Sequence, residues 1–346
     1  MKRLIFSLMM IFAGAGVFAQ PDNSGDIRGP IANPSPGVLD GVYVREHIPT
    51  KKVIPYEFVR EADVAWSKRV WRVIDLREKF NHPLYYPLDD LRPGDEEGDL
   101  VWRKNPTRWS LWTILRYHVF TGDITLYSPF DPDWFAWKDG DQLKYPITPA
   151  LYGQGPSYNM YTDSVFAKYV KNLEYFGQLD KTSARVAVKS QIDPLMDSID
   201  NNGNVVYYDR EFEWYTAEDI VQYRIKEDWY FDNERSVMDV RIIAICPVVY
   251  QMEGTSISGF KELFWVYFPE CRYVLQNFYV QSRHNDSQRM SFDDLFWKRM
   301  FNSYIYKESN IYDRELQNFR AGVEALLEAE RIKDKIFKFE HDLWSF

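Results

Sequence analysis

Four pairs of closely spaced carboxylates come nearest to a catalytic arrangement in this sequence. They are Asp89-Asp90, Asp131 with Asp133, Glu211 with Glu213, and Asp293-Asp294. A glycosidase uses two carboxylates that flank the sugar, and Trp and Tyr rings suit a sugar-binding surface. Acids also favour the N-terminus of a helix, which explains the last pair. We keep a secreted carbohydrate-binding or carbohydrate-active protein as the alternative function.

Other catalytic and metal-binding motifs are absent from the sequence. The five histidines lie far apart, at positions 47, 82, 118, 284 and 341. None of them belongs to an HExxH or Cys-His motif with the spacing of a metal site. The run Gly254 to Gly259 does not have the GxSxG order of a serine nucleophile, and no phosphate-binding loop occurs. The sequence therefore predicts that the chain is not an enzyme and holds no cofactor or metal.

The stretch around Asn202-Gly203 resembles a calcium loop only in part. Asp200, Asn202 and Gly203 would fit, but Ser198 stands at the first ligand position and the bidentate Glu is missing. An Asn-Gly dipeptide favours a tight hairpin turn, so we predict a hairpin here.

The N-terminus has the pattern of a cleavable secretion signal. Lys2 and Arg3 precede an apolar run from Leu4 to Ile11, and small residues follow up to Ala19. Because the run is shorter than the ~20 residues of a spanning helix, a membrane anchor is the weaker interpretation. We expect cleavage after Ala19 and a protein that works outside the cytosol.

The net negative charge of the chain limits the kinds of partner that it can bind. The chain has 42 Lys and Arg residues against 51 Asp and Glu residues, a formal net charge of -9. Binding to a polyanion needs a basic face, so nucleic acid is excluded as a partner. Aromatic residues make up 17% of the sequence and supply both buried area and contact surface.

Length and pattern predict an α+β protein with two halves, because 346 residues exceed a usual single core. We divide the chain into a signal peptide (1–19), a flexible leader (20–40), a first α+β half (41–127), a loop-rich and helical connector (128–204), and a second α+β half with a C-terminal helix (205–346). Each half mixes antiparallel strands with capped amphipathic helices.

The two halves resemble each other in part. Segment 60–75 resembles 216–232, and 110–122 resembles 291–303. This pattern suggests a divergent duplication, although any two amphipathic helices look alike.

Hydrophobic periodicity and capping residues locate the elements. The segment from Glu57 to Asp75 predicts a helix of about ten residues followed by a strand. Further helices are predicted at Ser110–Thr121, Asp163–Phe176, from Thr216-Ala217-Glu218-Asp219, from Ser291, and over the last ~25 residues. Strands are predicted at 228–232, 237–250, 262–268 and 272–280. The C-terminal helix is expected to turn Val323, Leu326, Leu327 and Phe337 inwards.

The chain has two cysteines, Cys246 and Cys271, which rules out a disulfide-dense scaffold. They lie at the end of one predicted strand and the start of another. A bridge between adjacent strands and a buried free Cys246 both fit this pattern.

Long blocks of the sequence resemble the GldN/PorN family of gliding-motility and type IX secretion proteins. The blocks are GVYVREHIPTKKVIPYEFVREADVAWSKRVWRVIDLREKFNHPLYYP (41–87), SVMDVRIIAICPVVY (236–250), ELFWVYFPECRYVLQNF (262–278) and SFDDLFWKRMFNSYIYKESNIYDREL (291–316). The likeness covers most of the chain after the signal peptide and thins between 128 and 205.

The resemblance implies a structural role in the periplasm. Proteins of this family associate with an outer-membrane lipoprotein to form rings, and they contact the periplasmic part of an inner-membrane motor component. No catalytic residues come with the resemblance.

Two stretches are our candidate contact surfaces in such an assembly. The first is the aromatic and arginine block of Trp66, Arg69, Trp71 and Arg72. The second is the C-terminal helix, with Val323, Leu326, Leu327, Phe337 and Leu343. Aromatic and Arg side chains are enriched at protein interfaces. The alternative for the first stretch is that its Trp residues pack in the core and its Arg residues face solvent.

Overall fold

The computed structural model describes a defined set of residues. They are 52–93, 100–103, 105, 108–120, 123–131, 139–147, 177–179, 198–199, 205–206, 212–253, 256–282, 285 and 290–342. The predicted signal peptide, the leader, the helix at 163–176 and Leu343 lie outside the described residues.

Sixteen strands are found in the described part of the chain. They are β1 (Val64–Asp75), β2 (Asp90–Pro93), β3 (Leu100–Arg103), β4 (Leu126–Tyr127), β5 (Pro146–Ile147), β6 (Gly177–Leu179), β7 (Ser198–Ile199), β8 (Val205–Val206), β9 (Phe212–Trp214), β10 (Ile220–Asp232), β11 (Val237–Glu253), β12 (Ser256–Glu262), β13 (Trp265–Tyr267), β14 (Tyr279–Val280), β15 (Met290–Ser291) and β16 (Tyr304–Glu308).

Five α-helices accompany these strands in the same residues. They are α1 (His82–Tyr85), α2 (Leu111–Phe120), α3 (Phe268–Leu275), α4 (Phe292–Trp297) and α5 (Val323–Asp342).

Eight strands form the main sheet, in the order β16-β1-β10-β11-β13-β4-β5, with β12 also paired to β11. The neighbouring pairs are antiparallel. Strand β1 lies between β10 and β16, so the sheet combines strands from both predicted halves. The prediction of an α+β fold is confirmed, while the duplication stays a prediction.

Alternation along the strands divides the buried side chains between the two faces of the sheet. On the helix-bearing face, Ile74, Ile225 and Ile245 pack in one core with α2, α3 and α4. On the opposite face, Trp71 and Cys246 belong to a separate cluster with Val73, Ala244, Val248, Trp265 and Tyr306. Charged side chains of β10 also lie there, and we call it the ion-pair face.

The largest core fills the helix-bearing face. Its fully buried side chains include Trp112, Phe264, Phe268, Phe292 and Phe296. Burying a large apolar side chain stabilises a fold by roughly 1.5–3 kcal/mol. Helix α5 packs against the same face at the far end of the sheet, where Val70 and Ile305 contact Ala329, Ile332 and Ile336.

Several predicted elements are confirmed. Helix α2 lies within the predicted 110–121 segment, β11 contains the predicted strand 237–250, and the C-terminal helix is present as α5. Helix α4 begins with a capping box, in which Ser291 and Asp294 bond each other's backbone N–H groups. Strands β7 and β8 pair antiparallel on either side of the predicted hairpin, and the turn at Asn202-Gly203 itself lies outside the described residues.

Three element predictions are wrong. Only a 3-10 turn at Glu61–Asp63 precedes β1, in which exposure alternates with a period of two from Val64 to Arg69 and residues 70–74 are buried. Residues 217–219 form a turn before β10 and no helix follows it. Within the predicted strand 272–280, residues 272–275 belong to helix α3 and only Tyr279–Val280 form a strand, β14. Helix α3 has a proline in its first turn, where the missing N–H has no helical partner to lose.

Candidate interaction surfaces

Trp66 attaches the C-terminal helix to the sheet. Its ring stacks on Phe339 of α5 with the ring centroids 4.7 Å apart. It also packs beside Val70, which contacts Ile332 and Ile336 on the inner side of the helix. The half-buried indole therefore serves the interior of the subunit.

Arg69 lies half-exposed on β1 and is paired within the subunit. Its Nε and Nη2 atoms donate to the two carboxylate oxygens of Asp228 on β10, at 2.5 and 2.6 Å. A bidentate pair of this geometry fixes both side chains on the surface. Arg69 remains accessible to a partner from its solvent side.

Trp71 and Arg72 are buried. The Trp71 Nε1 atom donates to Asp141 at 3.0 Å, on the ion-pair face. Arg72 donates to the hydroxyl and the carbonyl oxygen of Ser303, at 2.9 and 3.1 Å, and its burial lowers its pKa. A partner could reach these two side chains only if the subunit opened, so we do not carry them forward as contact residues.

The outer side of α5 exposes the four predicted apolar residues that the structure describes. Exposed fractions are 71% for Val323, 53% for Leu326, 56% for Leu327 and 66% for Phe337. The prediction that they turn inwards is wrong, because Ala329, Ile332 and Ile336 form the stripe that packs on the sheet. The helix has two apolar stripes on opposite sides, and periodicity alone cannot tell them apart.

The segment before α5 adds apolar surface in the same part of the chain. Ile311, Tyr312 and Phe319 are exposed. The Arg314 guanidinium lies 4.8 Å from the Tyr312 ring and 4.7 Å from the Phe319 ring. Exposed apolar residues that group together mark interaction surfaces more often than scattered ones do.

Lys226 connects the middle of the ion-pair face to a loop. Its Nζ atom donates to the carbonyl oxygen of Asp141 at 2.6 Å and lies 3.5 Å from the Asp141 carboxylate. It lies 5.6 Å from the centre of the Trp71 ring, which Lys307 approaches to 4.6 Å. Burial lowers the pKa of Lys226, and the nearby carboxylate opposes that shift.

Arg224 and Glu262 form a second buried pair on this face. Arg224 donates to the Glu262 carboxylate and lies 3.7 Å from that of Glu315. Its guanidinium lies 4.7 Å from the centre of the Tyr306 ring, and Trp265 donates to Glu262 at 3.3 Å. Burial raises the pKa of Tyr306 well above its usual value. This network joins strands β10, β12, β13 and β16 to the segment that contains Glu315.

An aromatic contact with the segment before β1 was not predicted from the sequence. Tyr56 stacks on Trp297 at the end of α4, with the ring centroids 5.5 Å apart. The Arg272 guanidinium lies 4.3 Å from the Tyr56 ring and 4.9 Å from the Trp297 ring. Burial raises the pKa of Tyr56 to about 12. The residues are far apart in the sequence, so no motif spacing could have brought them together.

The carboxylate pairs considered for catalysis have structural roles where they are described. Asp89 accepts the backbone N–H of Ala217 at 2.9 Å. Asp293 pairs with Arg272 at 2.7 Å, and Asp294 caps α4. The tryptophans whose side chains are described are buried or half-buried apart from Trp297, which stacks on Tyr56. The described residues thus offer no support for the carbohydrate alternative.

No disulfide joins Cys246 and Cys271. Cys246 lies in the cluster of the ion-pair face, whereas Cys271 on α3 lies in the core of the helix-bearing face. The sheet separates the two thiols, so the bridge considered from the sequence does not fit the fold. Burial raises the pKa of Cys271 far above its usual range.

The described residues hold neither a cluster of metal-ligating side chains nor a helix that could span a membrane. No group of three or more His, Cys, Asp or Glu side chains there is placed to hold a metal ion. Among the helices of that part of the chain, none has the length and apolar character needed to cross a membrane.

A protein-family model matches most of the chain. Residues 59–345 match the family model described as "Gliding motility associated protein GldN". No curated protein matches the chain. The matched region contains β1, the main sheet and α5, and therefore every candidate contact residue from Trp66 to Leu343.

Proposed function

We propose that this chain, which belongs to the GldN family of gliding-motility-associated proteins, is a structural subunit of the gliding and type IX secretion machinery. In this proposal the signal peptide is cleaved after Ala19 and the mature protein works in the periplasm. An outer-membrane lipoprotein holds it at that membrane and forms a ring with it. The subunit also contacts the periplasmic domain of an inner-membrane motor component.

The outer face of α5 is the observation that carries the proposal. Val323, Leu326 and Leu327 are more than half exposed, while the inner stripe of the same helix is fixed to the sheet. Fixing one side of a helix gives its other side a defined position, which lowers the entropy lost on binding a partner. The apolar residues are also close enough along the helix to form one contact.

The assembly needs contacts on two dissimilar sides of the subunit. Such head-to-tail contacts close into a ring when the rotation between neighbours allows it. The outer face of α5 is one side in our proposal, and the half-exposed Arg69 lies on the ion-pair face of the sheet. Opposed sides of this kind are compatible with a ring.

The test replaces Leu326 and Leu327 together by Glu in the chromosomal copy. We expect loss of gliding and of cargo secretion, and loss of the lipoprotein partner when the variant is purified from cells. The purified variant should keep its circular dichroism spectrum and lose at most about 1 kcal/mol of unfolding free energy, because the side chains are exposed.

Lys335→Glu with Lys338→Glu is the matched control, since both lysines are exposed on the same helix. The control should glide, secrete and retain its partner. If the Leu326 and Leu327 variant also kept all three properties, the outer face of α5 would not be a contact surface. If the double variant failed to fold, Leu327→Asn alone would be used for the same three measurements.

A further inference from the structure

The residues from Lys52 to Phe58, which we call the strap, precede β1 and form neither helix nor strand. The strap reaches the fold mainly through one side chain, Tyr56. On either side of it, Ile54 is 62% exposed and Phe58 is 88% exposed. Tyr56 is therefore the aromatic side chain by which the strap binds the fold, and two large apolar side chains remain in solvent.

The site that receives Tyr56 consists of Arg241, Arg272, Asp293 and Trp297, and we call it the socket. Contacts with other parts of the fold hold Arg272, Asp293 and Trp297 in place. Arg272 is buried, and its Nε donates to Asp293 at 2.7 Å. Asp293 and Trp297 both belong to α4, whose capping box fixes its first turn. These contacts do not involve the strap, so the socket keeps its shape when the strap leaves.

The socket also binds the backbone of the strap. The Nη2 atom of Arg272 donates to the carbonyl oxygen of Ile54 at 2.8 Å. Arg241 donates to the carbonyl oxygen of Glu57, and its guanidinium lies 5.2 Å from the rings of Tyr56 and Tyr230. The socket thus binds one aromatic ring between two guanidinium groups and a backbone carbonyl oxygen on each side of that ring. These contacts are typical of a site that binds an extended peptide.

The connection between the strap and the sheet can act as a hinge. After Phe58 the chain passes through the exposed Arg60 and a short 3-10 turn into β1. Asp63 fixes the start of the sheet, because its carbonyl oxygen accepts the N–H of Asn233 at 2.8 Å. A change at Val59 and Arg60 would therefore redirect the strap and leave β1 in place. The seven strap residues reach at most about 25 Å when extended.

We propose that the socket receives the strap of a second copy of this chain, so that adjacent subunits exchange straps from head to tail. The strap itself identifies the occupant, since it carries the tyrosine and the two carbonyl groups that the socket binds. The exchange keeps these contacts unchanged, and each subunit gives one strap and receives another. Ile54 and Phe58 then lie between two subunits. This inference rests on the proposed assembly function and gives it a specific contact.

Cross-linking distinguishes exchange from binding within one chain. Glu57 of the strap pairs with Arg235, and both side chains are exposed enough for labelling. One tagged copy carries Glu57→Cys and a differently tagged copy carries Arg235→Cys. Both are produced in the same cells and treated with a short bis-maleimide. The native cysteines are buried and should not react. We expect a covalent dimer that carries both tags.

A single-chain control carries both substitutions. Absence of the two-tag dimer, whether or not this control forms an internal cross-link, would overturn the exchange. Adding Tyr56→Ala to the first copy should lower the yield of the dimer about tenfold, since it removes the stacked ring. Tyr56→Phe keeps the ring and should retain the yield.

The cross-linking result can be interpreted independently of the result for the Leu326 and Leu327 variant of α5. Assembly that persists without a two-tag dimer would refute strap exchange and leave the proposed function intact. A two-tag dimer would support strap exchange even if cells with the Leu326 and Leu327 variant still glide. Gliding of those cells would contradict only the assignment of α5 as a contact surface.

Discussion

The two faces of the main sheet are buried by different means, although the same strands supply both. On the helix-bearing face, Ile225 of β10 packs among aromatic and aliphatic side chains of α2, α3 and α4. On the ion-pair face, the adjacent Arg224 and Lys226 are also buried, and each has a carboxylate partner from another segment. Apolar packing needs volume and shape, whereas a buried charge needs one particular partner.

This difference implies different responses to substitution. A core side chain on the helix-bearing face can be exchanged for another of similar volume at low cost. A charge on the ion-pair face cannot lose its partner cheaply, yet both partners can be replaced together. Three variants test this contrast, from the largest expected effect to the smallest.

Phe268→Ala should have the largest effect. Phe268 is fully buried in α3, and its ring meets that of Phe296 edge to face with the centroids 5.2 Å apart. We expect a loss of about 4 kcal/mol in the free energy of unfolding, measured by urea denaturation. Phe268→Leu is the control and should cost less than about 1.5 kcal/mol. Equal losses for the two variants would contradict volume-based packing on this face.

Glu262→Gln should follow, with a loss of about 3 kcal/mol, because Arg224 keeps its charge in a buried place without its main partner. Replacing both residues, Arg224→Met with Glu262→Met, should bring stability back to within about 1 kcal/mol of the wild type. Urea denaturation of the two variants gives the comparison. A double variant as unstable as the single one would show that the pair stabilises the fold through its hydrogen bonds.

Lys226→Met should have the smallest effect, about 1 kcal/mol. The methionine still packs against Trp71, and Asp141 retains the Trp71 N–H as a donor. The loss should come mainly from the loop around Asp141, so hydrogen exchange should accelerate at residues 139–143 and stay unchanged in β10. Faster exchange throughout β10 would instead assign Lys226 a role in the sheet itself.

Much of the sheet could be predicted because its strands have a strong local pattern. The β-branched run from Arg241 to Cys246 lies in the middle of β11 as expected. The failures come from patterns that suit two structures. The Asp219 carboxylate accepts the N–H and the hydroxyl of Thr216 at 2.7 and 3.0 Å, as in a helix cap, but Ile220 and Val221 continue as a strand.

The candidate surfaces were harder to predict than the fold. The sequence indicated the right helix at the C-terminus but the wrong side of it, since Ala329 approaches the sheet where Leu326 had been expected. The block from Trp66 to Arg72 looked like a contact surface because Trp and Arg are common at interfaces. Its side chains mostly make contacts within the subunit, which depend on Asp228, Ser303 and Phe339, all distant in the sequence.

The position of the two cysteines on opposite faces of the sheet has a consequence for folding in an oxidising compartment, such as the periplasm that we propose for this chain. In the unfolded chain Cys246 and Cys271 are only a short loop apart, and such thiols readily form a bridge. That bridge cannot be accommodated once β11 separates the two side chains. Oxidation therefore competes with folding, and a chain that is oxidised first must be reduced again before it can reach the native state. In the folded subunit both thiols are buried, so oxidants no longer reach them.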